Sequence, residues 1–285
     1  MTDGTVEALF EPAGPDRYVP TAYSRGPWDP DHCHGGPVSA LLTRAVEQAG
    51  IEHATDGPDG GWQVARITVE LTRPVPVGRP LDLASTVERG GKRVSIAAAT
   101  LIDGTIEVAR VRGLRIRRES IELPEIEVSG HADVDPDDEA FPAPPSASRP
   151  ERPSFTGDDP ALVSFATRAC EHRFAAGGWM ETGPVAVWIR LLVPVLADEE
   201  PTGAQRTAAA ADFGNGVSPV LPWDRYLFIN PDLTVHLHRP AEGEWIGLRA
   251  TTRVGTEGAG LAQSALHDQR GPIGRSLQSL FIAPR

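Results

Sequence analysis

Cysteine is nearly absent. Cys33 and Cys170 are the only two in 285 residues, and neither belongs to a CxxC pair. That rules out a disulfide framework and makes a reducing compartment the default. Lysine is scarcer still, since Lys92 is the one lysine among 27 basic residues. These face 39 acidic residues, giving a net charge of -12 and an isoelectric point near 5.1. Such a chain lacks the broad basic surface that nucleic acid requires, although a local basic patch could still hold an anionic ligand. No apolar run approaches the ~20 residues of a membrane span. Met1 to Pro12 is acidic and lacks the charged-then-apolar layout of a signal peptide. The expectation is a soluble, cytoplasmic protein. Catalytic signatures are missing too. There is no G-x-S-x-G elbow, which removes support for an α/β-hydrolase serine mechanism. Neither G-x-x-x-x-G-K-[ST] nor G-x-G-x-x-G occurs, so nucleotide phosphate loops are absent.

What the chain does have is an internal echo. Val69-Glu70-Leu71-Thr72-Arg73-Pro74 is answered 166 residues later by Val235-His236-Leu237-His238-Arg239-Pro240. Leu114-Arg115-Ile116 and Leu280-Phe281-Ile282 keep the same spacing. A spacing held over such a length, with small slips at turns, marks a duplicated unit. Two copies suit paired halves better than a solenoid.

The elements repeat as well. Arg17 to Ser24 reads as a short strand, followed by a loop from Gly26 to Gly36. Pro37 then opens a helix to Gly50, with Val38, Leu41, Leu42, Ala45, Val46 and Ala49 on one face. Strands are expected at 63–73, 80–89, 92–102 and 105–117, with hairpin signals at Gly90-Gly91 and Asp103-Gly104. Residues 119–157 differ: nine acidic residues lie between Glu119 and Glu139, and seven prolines between Pro124 and Pro153. They read as a connector that stays unfolded or drapes over the surface. Beyond it, a helix is expected at 160–173, a strand at 185–193 and an Ala-rich helix at 203–213. Strands follow at 232–239, 245–254, 259–267 and 273–283. The second helix sits where the first, displaced by 166, would fall. The division is 1–118, connector 119–157, and 158–285. The fold class is α+β, a double hotdog, in which each of two units wraps an antiparallel sheet around a long helix.

Here a resemblance enters. His34-Gly35-Gly36-Pro37-Val38-Ser39-Ala40-Leu41-Leu42 resembles the start of the helix in hotdog thioesterases. Asp232 to Pro240, followed by Glu244-Trp245, is similar to the C-terminal half of type II acyl-CoA thioesterases, as is the closing Arg275-Ser276-Leu277-Gln278. The resemblance spans both halves and leaves out the connector. It implies hydrolysis of an acyl-CoA or acyl-carrier thioester without a covalent nucleophile and without a cofactor. It also implies a water oriented by an Asp, a Thr or Ser, and a Gln. Carried over by position, these are Asp212, Asn230 and Gln278, so Asn stands where the family has a hydroxyl. The backbone N–H groups of Gly35 and Gly36, with His34, would meet the substrate at the helix N-terminus. Association into homo-oligomers is a further implication.

Two other readings compete. Asp29 and His34 lie five apart, a spacing that resembles the Asp/His pair of hotdog enoyl-thioester hydratases and dehydratases. A non-catalytic binder of acyl thioesters or hydrophobic carboxylates is the third, and the Asn at 230 keeps it open. Bland readings also stand beside each site. Gly35 and Gly36 could serve tight packing, and Asn230 before Pro231 suits a turn. His32, Cys33 and His34 lack zinc spacing. Asp232, His236 and His238 share one strand face, which suits a polar surface better than a metal.

Overall fold

The computed structural model describes residues 7–51, 61–122, 124, 141–153 and 163–285. The first half contains β1 (Phe10–Gly14), β2 (Arg17–Pro20), α1 (Gly35–Gln48), β3 (Trp62–Glu70), β4 (Leu81–Arg89), β5 (Val94–Asp103) and β6 (Ile106–Arg117). The rest contains β7 (Arg149–Glu151), β8 (Cys170–Ala176), β9 (Val185–Leu191), α2 (Gly203–Ala211), α3 (Gly214–Val217), β10 (Tyr226–Ile229), β11 (Asp232–Leu237), β12 (Trp245–Val254), β13 (Ala259–Asp268) and β14 (Gly271–Pro284). Among the described residues no helix is long and apolar enough to cross a membrane.

All strands join one antiparallel sheet of 14, ordered β1-β2-β4-β5-β6-β3-β11-β14-β13-β12-β9-β8-β7, with β10 also on β14. Its middle is the β3–β11 pair, where Thr68 and Thr234 are register partners. These two threonines are 166 residues apart, so the repeat read in the sequence becomes the centre of the sheet.

Each half places a helix against this sheet. His34 caps α1, its Nδ1 accepting from the Gly36 N–H at 3.0 Å. The helix therefore starts at Gly35, and Pro37 lies within its first turn, where a missing N–H costs nothing. Gly50, at φ +72°, ends it. Val38, Leu41, Leu42 and Val46 are fully buried. Gly113 lets the helix lie close on β6, because a Cβ there would stand 2.3 Å from Val46 Cγ1. The buried Arg115 closes the other end. Its Nη1 donates to the carbonyls of Val46 (3.0 Å) and Ala49 (2.8 Å), and its Nη2 to Ser95 Oγ (2.9 Å). A cation suits the negative end of a helix.

The second helix is shorter than the sequence suggests. Thr202 caps it, and the buried run Ala208 to Ala211 allows close approach to α1. It stops at Asp212 and resumes as α3. Gln278 bridges the break: its Nε2 donates to the Asp212 carbonyl at 3.1 Å, and its Oε1 accepts the Asn215 N–H at 3.0 Å.

Other expectations need correction. Arg17 to Ser24 is a strand only to Pro20, and β1 precedes it unread. The helix expected at 160–173 is a single π-type turn, Phe165–Ala169, capped by Ser164. Residues 160–162 lie outside the described set. From Cys170 the chain is strand β8, with Cys170, His172 and Phe174 inward, because pairing to β9 outweighs the helical spacing. The described end of the connector drapes over the second half. Phe141 packs on Trp188 and His267, Trp188 Nε1 donates to the Ala143 carbonyl at 2.5 Å, and β7 adds an edge strand to β8.

Candidate active site

Asp212 follows α2 directly and is 2 % exposed. Its backbone ends a helix, where a carboxylate meets the negative end of the dipole. Compensation comes from across the molecule. Its Oδ2 stands 2.8 Å from His34 Nδ1, and its Oδ1 accepts from Asn230 Nδ2 at 2.7 Å. Gln278 Nε2 reaches the same Oδ1 at 3.4 Å. The N-terminus of α1 adds its positive end, because Gly35 lets the carboxylate come in. A Cβ on Gly35 would lie 2.7 and 2.8 Å from the two Asp212 oxygens.

The six residues singled out in the sequence thus gather at one place, in different postures. Asp212, Asn230, His34 and Gly35 line a cavity of about 320 Å³, together with apolar Val38, Leu71, Val75, Trp28, Trp223 and Ile229. Gln278 is not on that lining. It is 2 % exposed and sits behind Asp212. Gly36 is a packing glycine: a Cβ there would meet Phe165 at 2.6 Å and the Ala209 carbonyl at 2.7 Å. Its N–H points at His34 Nδ1, 3.0 Å away. Gly35 is the first residue of α1, and its N–H has no acceptor within the helix.

One nitrogen, His34 Nδ1, is contested. It carries either a lone pair or a proton. As an acceptor it satisfies Gly36 N–H, and the carboxyl of Asp212 must then supply a hydrogen. As a donor it serves the Asp212 carboxylate, and Gly36 gives up its partner. Nδ1 thus lies within hydrogen-bond reach of both the Asp212 Oδ2 and the Gly36 N–H. The hydratase-like pairing of Asp29 with His34 is not formed, because Asp29 Oδ2 lies 3.1 Å from His32 Nδ1 instead.

An aromatic wall stands behind His34. Its ring lies 5.0 Å from Phe165 and 4.7 Å from Phe213. Beyond Phe213 lies His172, edge-on at 4.8 Å and 1 % exposed. Among the described residues neither ring nitrogen of His172 has a hydrogen-bond partner. Burial first, and then the charge of His34, push its pKa down to about 3. Cys33 also lines the cavity, but burial drives its thiol pKa far up. It stays protonated and is a poor nucleophile. Among the described residues no three His, Cys, Asp or Glu side chains gather to hold a metal.

The other half has no such trio. Positions 166 residues before Asp212, Asn230 and Gln278 hold Val46, Val64 and Arg112. At the end of α1, Glu47 accepts from Thr202 Oγ1 (2.8 Å) and Gln205 Nε2 (2.7 Å) at the start of α2, beside a cavity of about 300 Å³. That carboxylate is engaged by the side chains of Thr202 and Gln205. Sequence reasoning missed the cavity walls Trp28 and Trp223, which stack at 4.9 Å from separate loops. It also missed the His34–Asp212 contact. The residue before a Gly-Gly helix start is an N-cap position, which was a usable signal for where the imidazole points.

A sheet with two helix-against-sheet halves and a buried carboxylate at a helix N-terminus is the layout of a hotdog thioesterase. The sequence profile of the acyl-CoA thioesterase N-terminal domain matches residues 24–116, and that of the C-terminal domain matches residues 138–282. The chain belongs to the acyl-CoA thioesterase family and is a thioester hydrolase. No curated relative matches the sequence. Solved structures share the fold at low identity. A proposed thioesterase from Novosphingobium aromaticivorans has 20% identity and a TM-score of 0.67, covering 96% of this chain and 98% of its own. A tesB protein from Mycobacterium avium subspecies paratuberculosis has 16% identity and a TM-score of 0.64, covering 96% of each chain. A conserved protein with a hot dog fold from Alicyclobacillus acidocaldarius has 15% identity and a TM-score of 0.66, covering 99% of each.

Proposed function

We propose that this chain is a double hotdog whose second helix supplies a single working site, and that Asp212 there drives hydrolysis of an acyl-CoA thioester. The observation that carries this is the Asp212 carboxylate. It is buried, yet it forms part of a cavity wall beside the open N-terminus of the other half's helix.

The chemistry needs a water, a proton acceptor and a polarising donor. Asp212 takes a proton from the water as it attacks the thioester carbon. Asn230 fixes the carboxylate through Oδ1, and its amide oxygen is suited to accept from the same water. Gly35 N–H, at a helix N-terminus, faces the developing oxyanion; one such donor contributes about 10²–10³ in rate. As the carbon–sulfur bond breaks, the proton that Asp212 took from the water goes to the leaving thiolate. Acid and free thiol are the products. Gln278 is a positioning residue: it ties off the helix break that points Asp212 at α1.

Thiol release from a panel of acyl-CoAs tests this. Asp212→Asn is expected to lose at least about a hundredfold in kcat, within the range for a general base. His34→Asn keeps an N-cap acceptor for Gly36 but removes the imidazole, so it should fold normally and lose at least about tenfold. Wild-type turnover in Asp212→Asn would remove the base from the mechanism. Tight acyl-CoA binding without thiol release would favour the binder reading, which Asn at position 230 keeps open.

A further inference from the structure

The duplicated Arg-Pro pair has two different fates. Arg239 is locked in place. Its guanidinium forks onto Asp268 at 2.5 and 2.6 Å and donates to the carbonyls of Pro272 and Gly271. Its counterpart is Arg73. The residue matching Asp268 is Asp103, which ends β5 as Asp268 ends β13, and in the first half that carboxylate is taken by Arg79 instead. Arg73 is exposed, and no hydrogen bond or ion pair engages its guanidinium among the described residues. Neighbouring arginines in this half are paired: Arg79 with Asp103, Arg110 with Glu70, and Arg112 with Glu88.

Arg73 is also held where it is. Its N–H bonds the Val108 carbonyl at 3.1 Å, Leu71 N–H bonds Pro231, and Thr72 Oγ1 donates to the Glu107 carbonyl at 3.0 Å. Pro74 fixes the next φ. This rigid segment lines the cavity that holds Asp212. The result is an unpaired guanidinium on the rim of the site, on a chain of net charge -12 that otherwise repels anions.

We propose that Arg73 binds the phosphate groups of the substrate's carrier, and so selects thioesters of phosphate-bearing carriers. The assignment rests on the hydrolase reading above. A guanidinium suits phosphate through its fork of donors. The phosphates are the part of an acyl-CoA that stays in water while the thioester enters the cavity, and Arg73 sits at that boundary.

The test compares one acyl group on coenzyme A and on N-acetylcysteamine, a short carrier without phosphate. Arg73→Gln should raise KM for the acyl-CoA about five- to tenfold, the scale of one exposed charge-assisted contact. The kcat should be kept, and KM for the N-acetylcysteamine thioester should move by less than about twofold. Arg73→Lys should fall between, having charge without the fork. Added salt should raise the wild-type KM for acyl-CoA more than that of Arg73→Gln. Calorimetric titration with free coenzyme A, which needs no turnover, should show the same five- to tenfold weakening. Equal effects on both carriers, or an unchanged KM for acyl-CoA in an active enzyme, would overturn the role of Arg73. A wild type that binds coenzyme A through Arg73 but cleaves no thioester would overturn only the hydrolase reading.

Discussion

Gly35 and Asp212 meet so closely that nothing larger than hydrogen fits between them. A methyl on Gly35 would lie 2.7 Å from one carboxylate oxygen and 2.8 Å from the other. Gly35→Ala should therefore push the carboxylate away from the helix N-terminus. Overpacking of this kind costs about 1–3 kcal/mol. Misplacing a reacting group by ~1 Å costs as much as 10²-fold in rate. The expected result is a folded protein with a lower denaturation midpoint and at least about tenfold slower thiol release. Gly36→Ala is a useful contrast, because its methyl would meet Phe165 and the Ala209 carbonyl rather than Asp212. It should destabilise at least as much through packing. Full turnover in Gly35→Ala would separate the close contact from catalysis.

How much of this was legible beforehand depends on the range of the forces involved. Helix α1 was, because Val38, Leu41, Leu42 and Val46 mark one face and local signals bound both ends. The spacing of 166 was legible as duplication, and it became the pairing of Thr68 with Thr234. Segment 160–173 was misread, because Phe165, Ala166 and Ala169 have helical spacing while Cys170 to Ala176 is recruited by β9, which local pattern does not report. The connector read as unfolded or draped over the surface, yet Pro150 sits in β7 on the sheet edge, where its missing N–H is tolerated. In the site, Asp212, Asn230 and Gln278 were reached through a family resemblance, and spacing alone did not single them out. That Gln278 lies behind Asp212, and that Gly36 packs against Phe165 and Ala209, follow from contacts between residues distant in sequence.

His172 makes the fold sensitive to acid. Its ring is buried against Phe213 and Trp179, near His34. The folded protein keeps it neutral down to about pH 3, whereas the unfolded chain protonates it near its ordinary 6.5. Between those values the unfolded state binds one more proton. Stability is therefore complete above pH 6.5 and falls as pH drops toward 3, by at most about 1.4 kcal/mol per unit from this group. His172→Phe should flatten that part of the profile. Denaturant midpoints measured from pH 7.5 to 4.5 would check it. Parallel profiles for wild type and variant would show that His172 is not the group responsible.

The Arg239–Asp268 pair should matter for stability without touching the chemistry. Asp268 is buried, and besides the two Arg239 contacts it accepts the N–H groups of Glu242 (2.9 Å) and Arg270 (2.8 Å). Burial alone would raise its pKa. The Arg239 fork and the two amides outweigh burial and hold it below the usual carboxylate value of 3.8. Its contribution is therefore present above pH 3.8 and is lost as pH falls through the lower folded value. Arg239→Ala strands a buried carboxylate, a change that costs about 3–5 kcal/mol. Arg239→Lys should recover only part, because one ammonium does not span both oxygens. The Arg239→Ala/Asp268→Asn double variant should be less damaged than the single effects would sum to, which a double-mutant cycle in denaturant reads directly. Strict additivity would mean the fork contributes nothing as a pair. A drop in kcat without loss of stability would place Arg239 in the chemistry and not in the scaffold.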